Sequence, residues 1–364
     1  MDSQRATRTL SPVDLLSLLY LGVVWGGAFL FLHVAAAQVG PVWAAEGRLL
    51  IGALILAVLA GRRTLPYLRG RLLAFAFTGL TFAAIPFTAI AFASLTLPTG
   101  FTALLNAATP LFTAALGVLV LRQRLGARVL TGLGIGVAAV VALVGGSPLA
   151  LTPETLLAVG AGLAAPASYA VAGTWVRARL ADVPGTILAT AMLAAAAILT
   201  LPVAILSGAP GALALDGVLA LVAVGTVSTA FAWPVFYRIL ARSTPTVAST
   251  VTFIVPVFAA AWGAVVLGET VGPELVVAFG LVMVSLVLVL RLPVASPAGA
   301  ARRLAAALGG LVGAARSIDE AGDDRVGEPI SARARRRVPA DQPLGGAAVS
   351  GTAVTWSGST SSAS

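Results

Sequence analysis

Long apolar runs separated by short polar breaks make up most of this chain, and that pattern predicts its elements. Ten runs stand out, at 13–34, 41–60, 72–94, 99–120, 129–146, 155–175, 185–206, 217–237, 247–267 and 273–291. A helix that crosses a bilayer needs about 20 mostly apolar residues, and each run is near that length. Several breaks are shorter than ten residues, so neighbouring helices are expected to run antiparallel. No stretch between them is long enough for a soluble domain. The expected fold class is an all-α polytopic membrane protein with ten transmembrane helices.

The runs also repeat. From Pro110 the chain places Gly117, Leu121, Gln123, Gly126 and Gly134; from Pro256 it places Gly263, Leu267, Glu269, Gly272 and Gly280 at the same spacing, 146 residues on. Ten spans over such a repeat give two halves of five, at 13–146 and 155–291. An odd number of spans makes the second half enter from the opposite side. The two halves are therefore expected to be inverted repeats about an axis in the membrane plane, the arrangement that puts a substrate site at the midplane.

Charge sets the orientation. Arg5 and Arg8 precede the first span, Arg62, Arg63, Arg69 and Arg71 follow the second, and Arg122, Arg124 and Arg128 follow the fourth. Arg177 and Arg179 follow the sixth, Arg238 and Arg242 the eighth, and Arg291 closes the tenth. The alternate breaks carry no Arg and hold His33, Glu154, Asp216, Glu269 and Glu274. Arginine concentrates in cytoplasmic loops. Both termini are thus expected in the cytoplasm, with residues 1–12 as an N-terminal segment and the body in the inner (plasma) membrane. The Ala35-Ala36-Ala37 run resembles a signal-peptide processing site, but the apolar run before it is long for a signal core, and cleavage would break the five-plus-five match.

Composition agrees with lipid as the solvent. Hydrophobic residues make up 59% of the chain and charged residues only 10%, with a mean hydropathy of +0.99; a soluble domain carries about 25% charged residues. The net charge of +9 does not point to nucleic acid, because the basic residues lie in the short breaks. With no cysteine, thiol catalysis, disulfides and Cys-ligated metals are excluded. Residues 292–364 change character, to Ala, Gly, Ser, Arg and Pro, and are expected to form a disordered cytoplasmic tail. Within it Leu304, Leu308, Leu311 and Ile318 offer the alternative of an interfacial helix, weakened by Gly309-Gly310.

A few polar groups fall inside the apolar runs. Arg48 lies seven residues past Pro41, roughly 10 Å below the outer surface at 1.5 Å per residue, and Glu46 lies two residues above it. Buried charges in a membrane cost a few kcal/mol and are candidates for function. Arg48 is either an anchor for a substrate carboxylate and organiser of the outer gate, or a charge satisfied by carbonyls of a kinked neighbour. Glu46 either reaches the outer surface or is a proton-coupling carboxylate. The two sit about 200° apart on the helix, so they cannot pair.

Prolines recur within the runs at Pro86, Pro110, Pro166, Pro202, Pro234 and Pro256, each freeing a carbonyl that must find protein or cavity water. Thr109-Pro110 and Pro256 are the expected flexible elements. Asn106, one turn before Pro110, is a candidate substrate ligand or an interhelical hydrogen bond. Trp25 and Tyr169 are candidate cavity-wall residues; Trp175, Trp233 and Tyr237 are expected as interfacial anchors, with Trp262 open to either role. Gly132-Leu133-Gly134-Ile135-Gly136 imitates a nucleotide loop but lies within an apolar run, where closely spaced glycines suit helix packing. No Walker loop and no His or Cys cluster is present, so no cofactor, metal or enzymatic activity is expected. The expected partners are a small-molecule substrate and the bilayer, with the chain a monomer or homodimer.

These motifs carry a family resemblance. Trp25-Gly26-Gly27 in the first run, Arg48 after Pro41, Pro110, Pro256 and Leu267-Gly268-Glu269 occur in the order found in the EamA-like transporters of the drug/metabolite transporter superfamily. The chain resembles them over about residues 13–291. The resemblance implies a secondary carrier that works by alternating access, most often exporting amino-acid-like or drug-like solutes. Uptake of small metabolites, or a scaffold that transports nothing, stands as the alternative. It further implies gating roles for Glu269 and for its counterpart Gln123, where the family usually carries Glu.

Overall fold

The computed structural model describes residues 12–119, 126–242 and 251–289. Gln123, the arginines at 5, 8, 122, 124 and 291 and the 292–364 tail, including its alternative interfacial helix, lie outside the described residues. Eight helices are long and apolar enough to cross a membrane: α1 (Pro12–Val39), α2 (which begins at Pro41 and is α-helical through Ala60), α3 (Leu72–Ala93), α4 (Thr99–Gly117), α5 (Ala127–Gly146), α6 (Pro153–Arg179), α7 (Gly185–Leu206) and α8 (Leu215–Ile239). Two shorter apolar helices follow, α9 (Val251–Leu267) and α10 (Pro273–Val289). No strand occurs among the described residues. Helix is what lipid allows, since only a structure that pairs its own backbone groups can lie in hydrocarbon.

The surface agrees. Val58 is 82% exposed, Leu73 87% and Val265 81%, and large bare side chains of this kind on many helices suit contact with acyl chains. The chain is a multi-pass membrane protein.

The helices interlock across the repeat. α1 packs on α9 and α6 packs on α4; α2 packs on α8 and α7 packs on α3. Positions 146 apart make the second member of each pair of contacts the counterpart of the first. A third matched pair joins α1 with α8 and α6 with α3, and two further contacts join counterparts directly, α2 with α7 and α5 with α10. Small residues allow the close approaches. A Cβ at Gly26 would stand 2.8 Å from the backbone nitrogen of Ala259 on α9. On α5, Gly132 and Gly136 lie against α10, where Ser285 donates to the Gly132 carbonyl at 2.6 Å. That packing accounts for the glycine run that imitates a nucleotide loop. Since backbone, not a flexible side chain, meets the added atom at Gly26, Gly26→Ala is expected to lower stability by about 1–3 kcal/mol, measurable as thermal unfolding in detergent.

Two helices contain a π turn at matching places, Leu80–Ala84 in α3 and Thr226–Phe231 in α8. Each lies just before a proline, Pro86 and Pro234. A proline removes one helix hydrogen bond, and a π turn absorbs the local mismatch while exposing carbonyls to neighbours. Those carbonyls are used. Ser168 on α6 donates to Thr81 O at 2.6 Å, and Trp25 on α1 donates to Ser228 O at 3.1 Å.

Polar ties hold the loops. Arg71 and Asp182 form an exposed pair at 2.7 Å, joining the segment after α2 to that after α6. The Arg71 hydrogen bond holds the Asp182 carboxyl below its ordinary range. A lowered carboxylate pKa means that the pair's contribution is complete at neutral pH and fades as pH falls through that lowered value; at full exposure it is small. Where α1 passes into α2, Gln38 donates to Asp216 at the start of α8 at 3.0 Å and accepts from Ala214 N at 2.9 Å, while Trp43 donates to Gly208 O, just past α7, at 2.9 Å.

Candidate functional site

Arg48 is buried at 6% exposure, and three other helices surround its guanidinium. Its Nε donates to Thr229 Oγ1 of α8 at 3.0 Å, and Thr229 in turn donates to Val224 O at 2.7 Å. The guanidinium carbon lies 3.6 Å from the centroid of Phe87 on α3. Tyr169 on α6 packs against the apolar cluster that holds Phe87. A cation this deep is tolerated because one hydroxyl accepts from it and one aromatic face lies over it. No hydrogen bond among the described residues engages its two terminal nitrogens. The π turn decides this geometry, since it carries Thr229.

An aromatic wall adjoins the cation. Tyr169 packs on Phe82 at 5.4 Å between ring centres, and Phe82 on Trp233 at 5.6 Å. Trp233 continues to Trp25 at 5.8 Å and to Tyr237 at 5.5 Å, and Trp25 meets Phe236 at 5.4 Å. The wall is built from α1, α3, α6 and α8, so both halves of the sequence contribute. Trp25, Arg48 and Tyr169, proposed as neighbours from sequence, do belong to one assembly. Phe82, Phe87, Ser228 and Thr229 were missed. No sequence signal marked them, since Phe82, Ser228 and Thr229 lie in π turns that the hydrophobic pattern does not reveal.

The anchor role expected for Trp233 and Tyr237 is corrected. Trp233 is 6% exposed and its Nε1–H is buried without a hydrogen-bond partner, whereas an interfacial indole keeps its N–H in the headgroups. The span is longer than its apolar run suggests: helix continues to Arg242, nine residues and roughly 13 Å beyond Trp233. Trp175 does lie near a helix end, donating to Ala74 O at 3.3 Å and stacking near Arg179 at 5.0 Å. Trp262 faces inward and donates to Val23 O at 3.2 Å. His33 bonds Ser94 O through Nδ1 at 2.5 Å, tying α1 to the end of α3.

Asn106 lies apart from this wall; no hydrogen bond or ring contact among the described residues joins them. It ends the first part of α4, which breaks at Ala107-Ala108 before resuming at Thr109. Pro110 frees the carbonyl four residues back, that of Asn106, and Thr109 Oγ1 donates to it at 2.8 Å. The Asn106 Oδ1 is buried and unpartnered. At the matching position Pro256 is buried inside an unbroken helix, Val251–Trp262. The two prolines thus act differently: one interrupts its helix and the other does not.

Glu269 performs a defined task. α9 ends in a π turn, and Gly268 takes a left-handed conformation at φ 68° that reverses the chain. Glu269 N then bonds back to Gly263 O at 3.1 Å, a helix-terminating contact one residue wider than a Schellman bond, as the π turn requires. The turn aims the carboxylate at the start of α4, where it accepts from Thr99 N at 2.9 and 3.0 Å and from Thr99 Oγ1 at 2.8 Å. A carboxylate on a helix N-terminus satisfies free N–H groups and complements the dipole. Glu46, by contrast, is 1% exposed with neither oxygen hydrogen-bonded, so it does not reach the outer surface.

The sequence profile of the EamA-like transporter family matches residues 13–145 and again 156–291. The chain belongs to the EamA-like transporter family. It is therefore a membrane transporter of the drug/metabolite superfamily, with the family unit occurring twice. No curated protein matches it. One solved structure, described only as the crystal structure of a protein, aligns with a TM-score of 0.55 and 20% identity over 76% of this chain and 96% of its own. At that identity the likeness shows the fold alone.

Proposed function

We propose that this EamA-like transporter exports a small metabolite bearing an anionic group, by alternating access between two inverted five-helix halves, 13–146 and 155–291. The observation that carries the proposal is Arg48: a buried guanidinium with both terminal nitrogens unengaged, set beside aromatic rings from both halves. A charge costs too much in that place to be kept for packing alone. Trp25, Arg48 and Tyr169 form the substrate region, with Asn106 at the α4 break as a separate ligand that joins when the helices move. Thr109, Pro110 and Pro256 lend flexibility, and Glu269, with Gln123 as its counterpart, acts at the gates. The outward direction rests on the family resemblance. α9 and α10 complete ten crossings, with both termini on the cytoplasmic side of the plasma membrane.

The test has two arms. Thermal shift of purified protein against a solute panel, followed by flux in liposomes, is expected to find an anionic solute that stabilises and is moved. A panel in which organic anions neither stabilise nor cross would overturn the substrate class. For topology, the chain has no native cysteine, so Ser147→Cys is expected to label from outside and Ala181→Cys only from inside. Labelling of both from one side would end the inverted arrangement.

A further inference from the structure

The α2–α7 contact buries two polar groups that nothing described satisfies. Glu46 is 1% exposed and Thr200 5% exposed, and Glu46 Oε1, Glu46 Oε2 and Thr200 Oγ1 all lack a hydrogen-bond partner. The helices run antiparallel, with Gly52 of α2 against Leu193 of α7 (a Cβ on Gly52 would lie 3.3 Å from the leucine) and Trp43 bonded to Gly208 O at 2.9 Å. Six residues outward from each partner of the Gly52–Leu193 contact is about 9 Å, which brings Glu46 to the level of Leu199 and Thr200. Thr200 lies two turns beyond Leu193 on the same face of α7. Glu46 lies two turns before Ala53, which packs in one cluster with Met192, Leu193 and Ala196 of α7. Two orphaned groups therefore lie at one level of one helix pair, and neither bonds the other.

The surroundings supply no counter-charge. α7 and α3 carry no ionisable residue within their spans. α8 offers Asp216, engaged with Gln38, and Tyr237 and Arg238 near its other end. α1 offers Asp14 and Tyr20 toward its start and His33, bonded to Ser94 O. Arg48 on α2 itself points about 200° away and is held by Thr229. An ionised carboxylate would thus face apolar side chains and one hydroxyl.

We propose that Glu46 is a proton-binding site that locks the outer ends of α2 and α7 together: it holds a proton while they are packed and releases it to outside water when they part. This builds on the alternating-access reading and adds a coupling ion to it. The released proton goes to bulk solvent, and rebinding closes the pair. A neutral acid leaves one donor unmet where a carboxylate leaves a full charge and several acceptor sites unmet, so this interface favours the protonated form. The same interface penalises the ionised form, so proton loss and helix separation favour one another.

Two measurements on the full chain in lipid nanodiscs test this, neither needing a substrate. Infrared difference spectra across a step from mildly acidic to alkaline pH should show the carbonyl stretch of a neutral carboxylic acid disappearing, and Glu46→Gln should lack that band. Spin labels on cysteines placed at Val42 and Leu206 should move apart over the same step in the wild type and stay close in Glu46→Gln. Survival of the band or of the separation in Glu46→Gln overturns the proposal. If that variant does not insert, the wild type decides, since no neutral-acid band in mild acid also overturns it. Because transport is not measured, a positive result with no solute flux would fault the carrier reading and leave the proton site standing.

Discussion

Arg48→Met is expected to weaken binding of the anionic solute about tenfold to a hundredfold, the size of a lost hydrogen bond to a charged group, without lowering thermal stability. The second half of that expectation separates function from structure. Methionine fills most of the same volume and spares the interior a buried charge, and such replacements are often neutral or stabilising. Thr229→Val should do the reverse in one respect: it keeps the shape, leaves the guanidinium without its hydroxyl acceptor, and should cost about 1–3 kcal/mol of stability. Solute titration by thermal shift and detergent unfolding of both variants check this. Solute affinity in Arg48→Met equal to wild type would remove Arg48 from the binding site.

Glu269→Ala is expected to cost about 1–2 kcal/mol, the range for a lost helix cap, and to free the end of α9 from the start of α4. Among the described residues Glu269 is the only side chain that bonds Thr99 N, so the variant leaves that amide bare at the beginning of a helix. Glu269→Gln retains an acceptor oxygen and should fall between. Spin labels at Leu95 and Val271, both exposed, would report the consequence as a broadened distance distribution in Glu269→Ala. Unchanged stability together with an unchanged distribution would show that the contact closes nothing.

The family profile bears out the family that the order of motifs suggested, because short motifs and their order are legible without knowledge of packing. The helices were legible for a related reason. In hydrocarbon every backbone group must be paired within its own segment, so an apolar run and a helix are nearly the same statement. Glu269 was singled out, but its role as a cap on a helix 170 residues away in sequence was not readable. Trp233 shows the limit most clearly. Its place in the apolar run suggested an end, and only the continuation of α8 and the rings around it made it interior.

Hydrophobicity acts through the solvent, one residue at a time, and so the sequence by itself determined the apolar helices, the doubling and the class of protein. Three-dimensional packing alone decided that Arg48 meets Thr229, that Phe82 links Tyr169 to Trp233, and that Glu46 is sealed in without a donor. Each of those depends on how a helix is rotated about its axis. A π turn shifts that rotation by most of a residue and leaves no mark in the hydrophobic pattern.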